Sequence, residues 1–263
     1  MSDKRIRHVL GLSGGKDSSA LAIFMRDKVP DMEYFFTDTG AELPETYEYL
    51  DKLEAYLGKP IARINATRTF DHLLKTQYNN FLPSPNTRWC TRELKIRPFE
   101  EFVGNDEVIS YVGIRADEDR EGYISTKPNI KAVFPFKEEG LVYADIMRIL
   151  NDSGLGIPAY YEWRSRSGCY FCFFQRKSEW VGLKERHPEL FKEAKKYEKF
   201  DPETGTRYTW SQGESLDELE ARSEAIKQSA KQKMKSISSK SWQDKLAAVA
   251  EEETDESCLI CSL

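Results

Sequence analysis

Two groups of residues carry chemistry by type and spacing. The first is the run Ser13-Gly14-Gly15-Lys16-Asp17-Ser18. Gly14 and Gly15 let the backbone turn tightly and approach a phosphate with no Cβ in the way. A helix beginning there offers unpaired N–H groups and the positive end of its dipole. Ser13 and Ser18 add hydroxyl donors, and Lys16 can neutralise pyrophosphate charge. Asp17 suits a magnesium or structural role. The run fits neither G-x-x-x-x-G-K-[ST] nor the three-glycine dinucleotide fingerprint. The second group is Cys169 and Cys172, spaced to present two thiolates from one loop, with Cys90 far away in sequence and Cys258 and Cys261 at the C-terminus. Such spacing serves tetrahedral zinc and iron–sulfur sites alike. Asp38 and Arg115 are further candidates. The carboxylate suits Mg²⁺ or a ribose hydroxyl, and the guanidinium fork suits phosphate or sulfate.

These residues need a scaffold, and the hydrophobic pattern supplies one. Arg7 to Leu12, Glu33 to Thr37, Ile61 to Ile64 and Val108 to Gly113 read as strands. Helices are expected over Ser19 to Arg26, Pro44 to Leu57, Leu94 to Val103 and Val142 to Leu150. This alternation predicts an α/β fold: a three-layer parallel sheet with helices on both faces. Ligands of such sheets bind at the carboxyl ends of the strands, where the phosphate loop and Asp38 fall. The segment from Trp163 to Trp180 looks irregular. Leu216 to Lys235 is charged and helical in composition. The expected division is a nucleotide-binding domain over residues 1–200, including the cysteine site. A helical C-terminal extension with an acidic, cysteine-containing tail follows over 201–263.

Composition bounds the class. The chain has 263 residues, 40% hydrophobic, 12% aromatic and 32% charged, which excludes a disordered chain. Its net charge of −5 does not exclude a nucleic-acid partner, because lysines concentrate between Lys227 and Lys245. The first residues lack the apolar core of a signal peptide, and no apolar run is long enough to span a membrane. A cytoplasmic location is expected. There the cysteines point to metal or redox chemistry rather than disulfides.

The hexapeptide resembles the pyrophosphatase loop of the adenine nucleotide α-hydrolases, the PP-loop superfamily. Four further segments are similar to its phosphoadenosine phosphosulfate reductase branch: Phe35 to Gly40 with Pro44-Glu45-Thr46, Arg88 to Lys95, Gly113 to Arg120, and Gly168 to Cys172. The resemblance spans roughly residues 8 to 180. It implies ATP cleavage between the α and β phosphates and transfer of AMP to a substrate oxygen. Ser13, Gly14, Gly15, Lys16, Asp17, Ser18, Asp38, Gly113 and Arg115 are the implied nucleotide ligands. Lys16, Asp17 and Arg115 are the implied catalytic groups.

The same resemblance brings Cys90 close to Cys169 and Cys172. In the related adenylylsulfate reductases a cysteine pair and a C-x-x-C hold a 4Fe-4S cluster. Here Trp89 stands where one of the pair is expected, so three ligands remain. An open iron, Cys261 (or Cys258) as a fourth thiolate, and zinc are the three completions. The leading expectation is an ATP-dependent adenylating enzyme in sulfur transfer to nucleic acid or a metabolite. By motif it is similar to the sulfur-inserting component of DNA phosphorothioation systems. Its expected partners are ATP, nucleic acid, a cysteine desulfurase or other sulfur donor, and a second copy in a homodimer, with no membrane. A sulfonucleotide reductase using a C-terminal cysteine and a non-catalytic nucleotide sensor in a defence assembly are the alternatives.

Overall fold

The structure, a computed structural model, describes residues 6–119, 126–211 and 213–238. Strands β1 (Arg7–Gly11), β2 (Glu33–Asp38), β3 (Ile61–Asn65), β4 (Val108–Tyr111) and β5 (Ile130–Val133) form one sheet in the order β3-β2-β1-β4-β5. Every neighbouring pair is parallel. Four strands are legible in the hydrophobic pattern, and β5 is the addition. It is a four-residue edge strand whose Lys131 is exposed, too short and too polar to stand out.

Alternation along the strands sorts the core into two layers. Leu10, Tyr34 and Phe36 face helices α1 (Lys16–Met25) and α2 (Pro44–Leu57), together with Ile146 and Leu150 of the helix Tyr143–Asp152. Val9, Phe35 and Val108 turn the other way onto Phe99 and Val103 of the helix Arg97–Val103. Phe35 and Phe99 stack with centroids 4.9 Å apart. Sheet burial on both faces explains why β1 and β2 read as nearly continuous apolar runs.

Outside the sheet a third cluster is built mainly from aromatics. Phe70, Trp89, Phe171, Trp180 and Trp210 pack there with Leu216 and Leu219. Trp89 lies 5.0 Å from the ring of Phe70 and 4.3 Å from that of Tyr78, and its Nε1 donates to the Phe81 carbonyl. Trp89 is therefore part of a core. The C-terminal part is helical over Lys177–Arg186, Pro188–Lys195, Leu216–Ala221 and Ser223–Ser238. Among the described residues no helix is long and apolar enough to cross a membrane.

Candidate functional site

The strand order reverses at β1, which has β2 on one side and β4 on the other. Both strands end level: Leu10 pairs with Tyr111, so the segments after Gly11 and after Tyr111 emerge side by side. Ligands of open α/β sheets bind in the crevice at such a reversal. The Ser13–Ser18 loop occupies it, running from the end of β1 into α1.

Its backbone is shaped by what lies against it. Gly14 takes φ +69°, and a Cβ there would come within 2.5 Å of Thr46 Cγ2 in the first turn of α2. A Cβ on Gly15 would come within 2.8 Å of Ser167 Oγ, and one on Gly113 within 3.1 Å of the Asp17 carbonyl oxygen. Glycine at all three positions lets the loop, α2, the segment after β4 and the 160s loop close on one another. Ser18 Oγ accepts from the Ser13 N–H at 3.2 Å and lies 3.1 Å from Ser13 Oγ. Ser13 Oγ in turn accepts from the Gly15 N–H at 3.3 Å.

Lys16 is almost wholly buried. Its ammonium lies 3.3 Å from Asp17 and between the rings of Tyr143 and Tyr161, 5.6 and 5.4 Å from their centroids. Arg115 is fully buried and engages three carboxylates: Asp17 at 2.8 Å, Asp117 at 2.9 Å and Glu118 at 2.8 Å. Arg115 thus holds Asp17, while Tyr143 lies under both cations, 5.4 Å from the guanidinium. Asp38, at the end of β2, accepts from the Gly40 N–H at 2.8 Å and from the Tyr47 hydroxyl at 2.7 Å. Burial, then that hydrogen bond, pushes the Tyr47 hydroxyl far above its ordinary value, so it stays a donor.

The segment Tyr160–Cys172 covers this loop, and only its cysteines stand out in the sequence. Tyr160 donates to the Gly14 carbonyl at 2.7 Å, with burial holding its hydroxyl neutral. The Tyr161 hydroxyl accepts from the Lys16 N–H at 3.2 Å, and Ser167 Oγ donates to Ser13 Oγ at 3.2 Å. Buried Arg164 pins the same segment by donating to the carbonyls of Gly168 and Cys169. The Tyr160-Tyr161 pair and the Arg-Ser-Arg-Ser run before Gly168 were the available signals. Neither belongs to a motif with a mechanism of its own.

Cys90, Cys169 and Cys172 line one pocket with Thr39, Lys95, Phe70 and Trp210. Cys90 comes from the short helical turn Trp89–Thr91, which runs into a π-helical turn over Arg92–Ile96. The helix expected from Leu94 thus begins earlier, and Leu94 and Lys95 project from the π turn onto the pocket. Cys169 Sγ lies 3.2 Å from Thr39 Oγ1 and 3.7 Å from Glu42 Oε1. Burial, and then the Glu42 carboxylate, push the Cys169 thiol well up, while Lys95 acts in the opposite sense. Among the described residues no three His, Cys, Asp or Glu side chains converge closely enough to hold a metal ion. Cys258 and Cys261 lie outside the described residues.

Residues 7–137 match the family model for the phosphoadenosine phosphosulfate reductase domain. Over this segment, just under half of its length, the chain is similar to that domain. The matched segment holds the Ser13–Ser18 loop, Asp38, Cys90 and Arg115, and the covering segment with Cys169 and Cys172 follows it. Protein MJ0973 of Methanocaldococcus jannaschii is 25% identical over 195 residues, 68% of this chain and 44% of that protein. The tRNA-specific 2-thiouridylase MnmA of Streptococcus uberis is 30% identical over 138 residues, 45% of this chain and 37% of the thiouridylase. The chain thus spans less than half the length of either relative. Among solved structures, the U34-tRNA thiolase NcsA from Methanococcus maripaludis with its 4Fe-4S cluster aligns with a TM-score of 0.43 at 15% identity. That alignment covers 74% of this chain and 71% of NcsA.

Proposed function

We propose that this protein cleaves ATP between the α and β phosphates and uses the adenylate to activate an oxygen for replacement by sulfur. The substrate class is a nucleic acid, and Cys90, Cys169 and Cys172 ligate a metal or iron–sulfur centre beside the nucleotide. One observation carries the reading: the glycine cradle at Gly14 and Gly15 opens at the strand-order reversal with the buried ammonium of Lys16 at its helix end. A triphosphate needs backbone donors at close approach and a fixed cation, and this loop offers both. In this reading Asp17, held by Arg115, orients Lys16 or a magnesium ion bound with the nucleotide. Likeness to the 2-thiouridylase supports sulfur transfer to RNA, and motif likeness to phosphorothioation proteins supports DNA. Substrate stimulation separates the two.

The test is product analysis with ATP labelled in the α and γ phosphates. Release of AMP and pyrophosphate, stimulated by tRNA or DNA, is the expected outcome. Tight ATP binding without turnover in the presence of either nucleic acid would instead identify a nucleotide sensor.

The match to the phosphoadenosine phosphosulfate reductase model favours a second reading, a sulfonucleotide reductase with Cys258 or Cys261 as its nucleophile. Sulfite release from adenylyl or phosphoadenylyl sulfate, lost in Cys261→Ser or Cys258→Ser, would establish it.

A further inference from the structure

We infer that the mouth of the cysteine pocket docks a single-stranded segment of RNA, with phosphates on Arg88 and Arg166 and a base stacked on Phe81. This rests on the nucleic-acid substrate proposed above and names the surface that takes it.

Charge is spread unevenly around the three cysteines. The whole chain carries 39 Lys and Arg against 44 Asp and Glu. The two segments that supply the cysteines reverse this balance. Arg88, Arg92, Lys95 and Arg97 surround Cys90, with Glu93 the one carboxylate among them. Arg164, Arg166, Arg176 and Lys177 surround Cys169 and Cys172, with no carboxylate between positions 163 and 177. Three of these cations have structural partners. Arg97 pairs with Glu93, Lys177 pairs with Glu214, and buried Arg164 holds the carbonyls of Gly168 and Cys169.

The fold brings the two basic segments together on one ring. The guanidinium carbon of Arg88 lies 4.9 Å from the Phe174 centroid, and that of Arg166 lies 5.5 Å from it. Phe174 lines the cysteine pocket, and so does Lys95. Cations gathered at a pocket with apolar walls raise the local potential and draw anions in. An anion bridging the two forks relieves their mutual repulsion, and phosphate fits guanidinium geometry.

Beside this rim Phe81 is 47% exposed. Its carbonyl accepts from Trp89 Nε1 at 3.0 Å, which anchors it next to the Arg88–Cys90 segment. Tyr208 braces its ring edge to face. An exposed aromatic beside arginines is the pattern on which unpaired bases stack. The cysteines line a pocket, and a base held in a duplex cannot reach into one. Folded RNA presents unpaired loops, whereas duplex DNA must first be opened, so RNA is the partner that fits.

The test is fluorescence anisotropy of the full-length protein, without ATP, using a labelled single-stranded oligoribonucleotide. Single-stranded DNA and duplex RNA of the same sequence are the comparisons, and the RNA should bind tightest. Arg88→Gln and Arg166→Gln should each weaken binding roughly tenfold. Each should also reduce the slope of log affinity against log salt by about 0.7, the value for one phosphate contact on a single strand. Arg88→Lys keeps the charge and should keep most of the affinity. Phe81→Ala should weaken binding roughly tenfold with the salt slope unchanged, as loss of a stacked base does. Arg26→Gln, at the far end of α1, should change nothing. Ultraviolet cross-linking of the unaltered protein guards against misfolded variants: cross-links should map to the peptides holding Phe81 and Phe174. Four outcomes would overturn the assignment: no RNA binding, wild-type affinity in both Arg→Gln variants, tighter binding of DNA or duplex, or cross-links confined to the lysine-rich helix Ser223–Ser238. ATP cleavage is scored separately. Pyrophosphate release that a nucleic acid stimulates equally in wild type and in both Arg→Gln variants refutes this assignment alone. RNA held through these arginines with no pyrophosphate formed refutes the adenylation reading alone.

Discussion

Ser167 and Ser13 are hydrogen-bonded through their hydroxyls at 3.2 Å, which ties the phosphate loop to a residue two positions before Cys169. The contact is tight because Gly15 lies beside it with no room for a side chain. The Ser13–Ser18 loop and the cysteine pocket are thus adjoining parts of one structure: Ser167 faces the first, and Gly168 lines the second.

The two glycines of the loop should therefore fail for different reasons. In Gly15→Ala the atoms nearest the new methyl belong to the Ser167 and Ser13 side chains, an overpacking worth about 1–3 kcal/mol. Adding Ser167→Gly should recover most of the lost stability and part of the lost ATP affinity. In Gly14→Ala the φ of +69° adds a backbone cost of about 1–2 kcal/mol that no neighbour can relieve. Trimming Thr46 to Ser should then give little recovery. Denaturant midpoints and ATP binding for the two pairs check this, and equal rescue of both would refute it.

Lys16→Met should separate folding from chemistry. The ammonium is buried beside Asp17 and two tyrosine rings, where an apolar chain of similar length fits. Stability should change little, because Asp17 keeps Arg115 as a partner at 2.8 Å and is not left with an uncompensated charge. Pyrophosphate release should fall roughly 10²–10³-fold, the scale on which one preorganised electrostatic group acts. A melting temperature near wild type with a smaller loss of turnover would remove Lys16 from the reaction.

Much of this arrangement is legible in the sequence because it is local. Strand, glycine turn and helix follow each other over residues 7–25, and their order fixes where the loop lies. The apolar spacing of Pro44 to Leu57 gives α2 to the residue, with Gly58 at φ +65° ending it. What escapes is made by contacts between distant segments. Tyr160, Tyr161 and Ser167 reach the loop from about 150 residues away, and nothing in their spacing announces it. Arg115 reads as an anion fork, yet its three carboxylate partners become visible only when Asp17 is folded against it.

Acid sensitivity should show in the helix Leu216–Ala221. Glu218 is held down to about 2, first by the Ser215 N–H and then by Arg207. Its unfolded value is 4.5, so between 4.5 and about 2 the unfolded chain binds more protons and stability rises with pH. The contribution is complete above 4.5 and lost as pH falls through about 2. Glu198, raised by burial against the N–H groups of Leu216 and Trp210, has the opposite slope. In Glu218→Gln the acid limb of melting temperature against pH should flatten in that window. A limb unchanged in shape would show that Glu218 does not ionise with the depressed value.

Arg115 gives the sharpest separation between a structural and a ligand-contacting role. Its guanidinium, fully buried, meets Asp17, Asp117 and Glu118, and Glu118 is itself nearly buried. Removing the cation in Arg115→Met leaves these carboxylates uncompensated, which should destabilise the fold by about 3–5 kcal/mol. Arg115→Lys keeps the charge but not the fork, so it can satisfy fewer of the three and should fall between. If Arg115 instead acts by gripping phosphate or sulfate directly, Arg115→Lys should raise the KM for nucleotide with unfolding unchanged. Chemical denaturation of both variants without nucleotide, set beside their KM values, decides between the two: an early loss of structure assigns Arg115 to holding Asp17 in place.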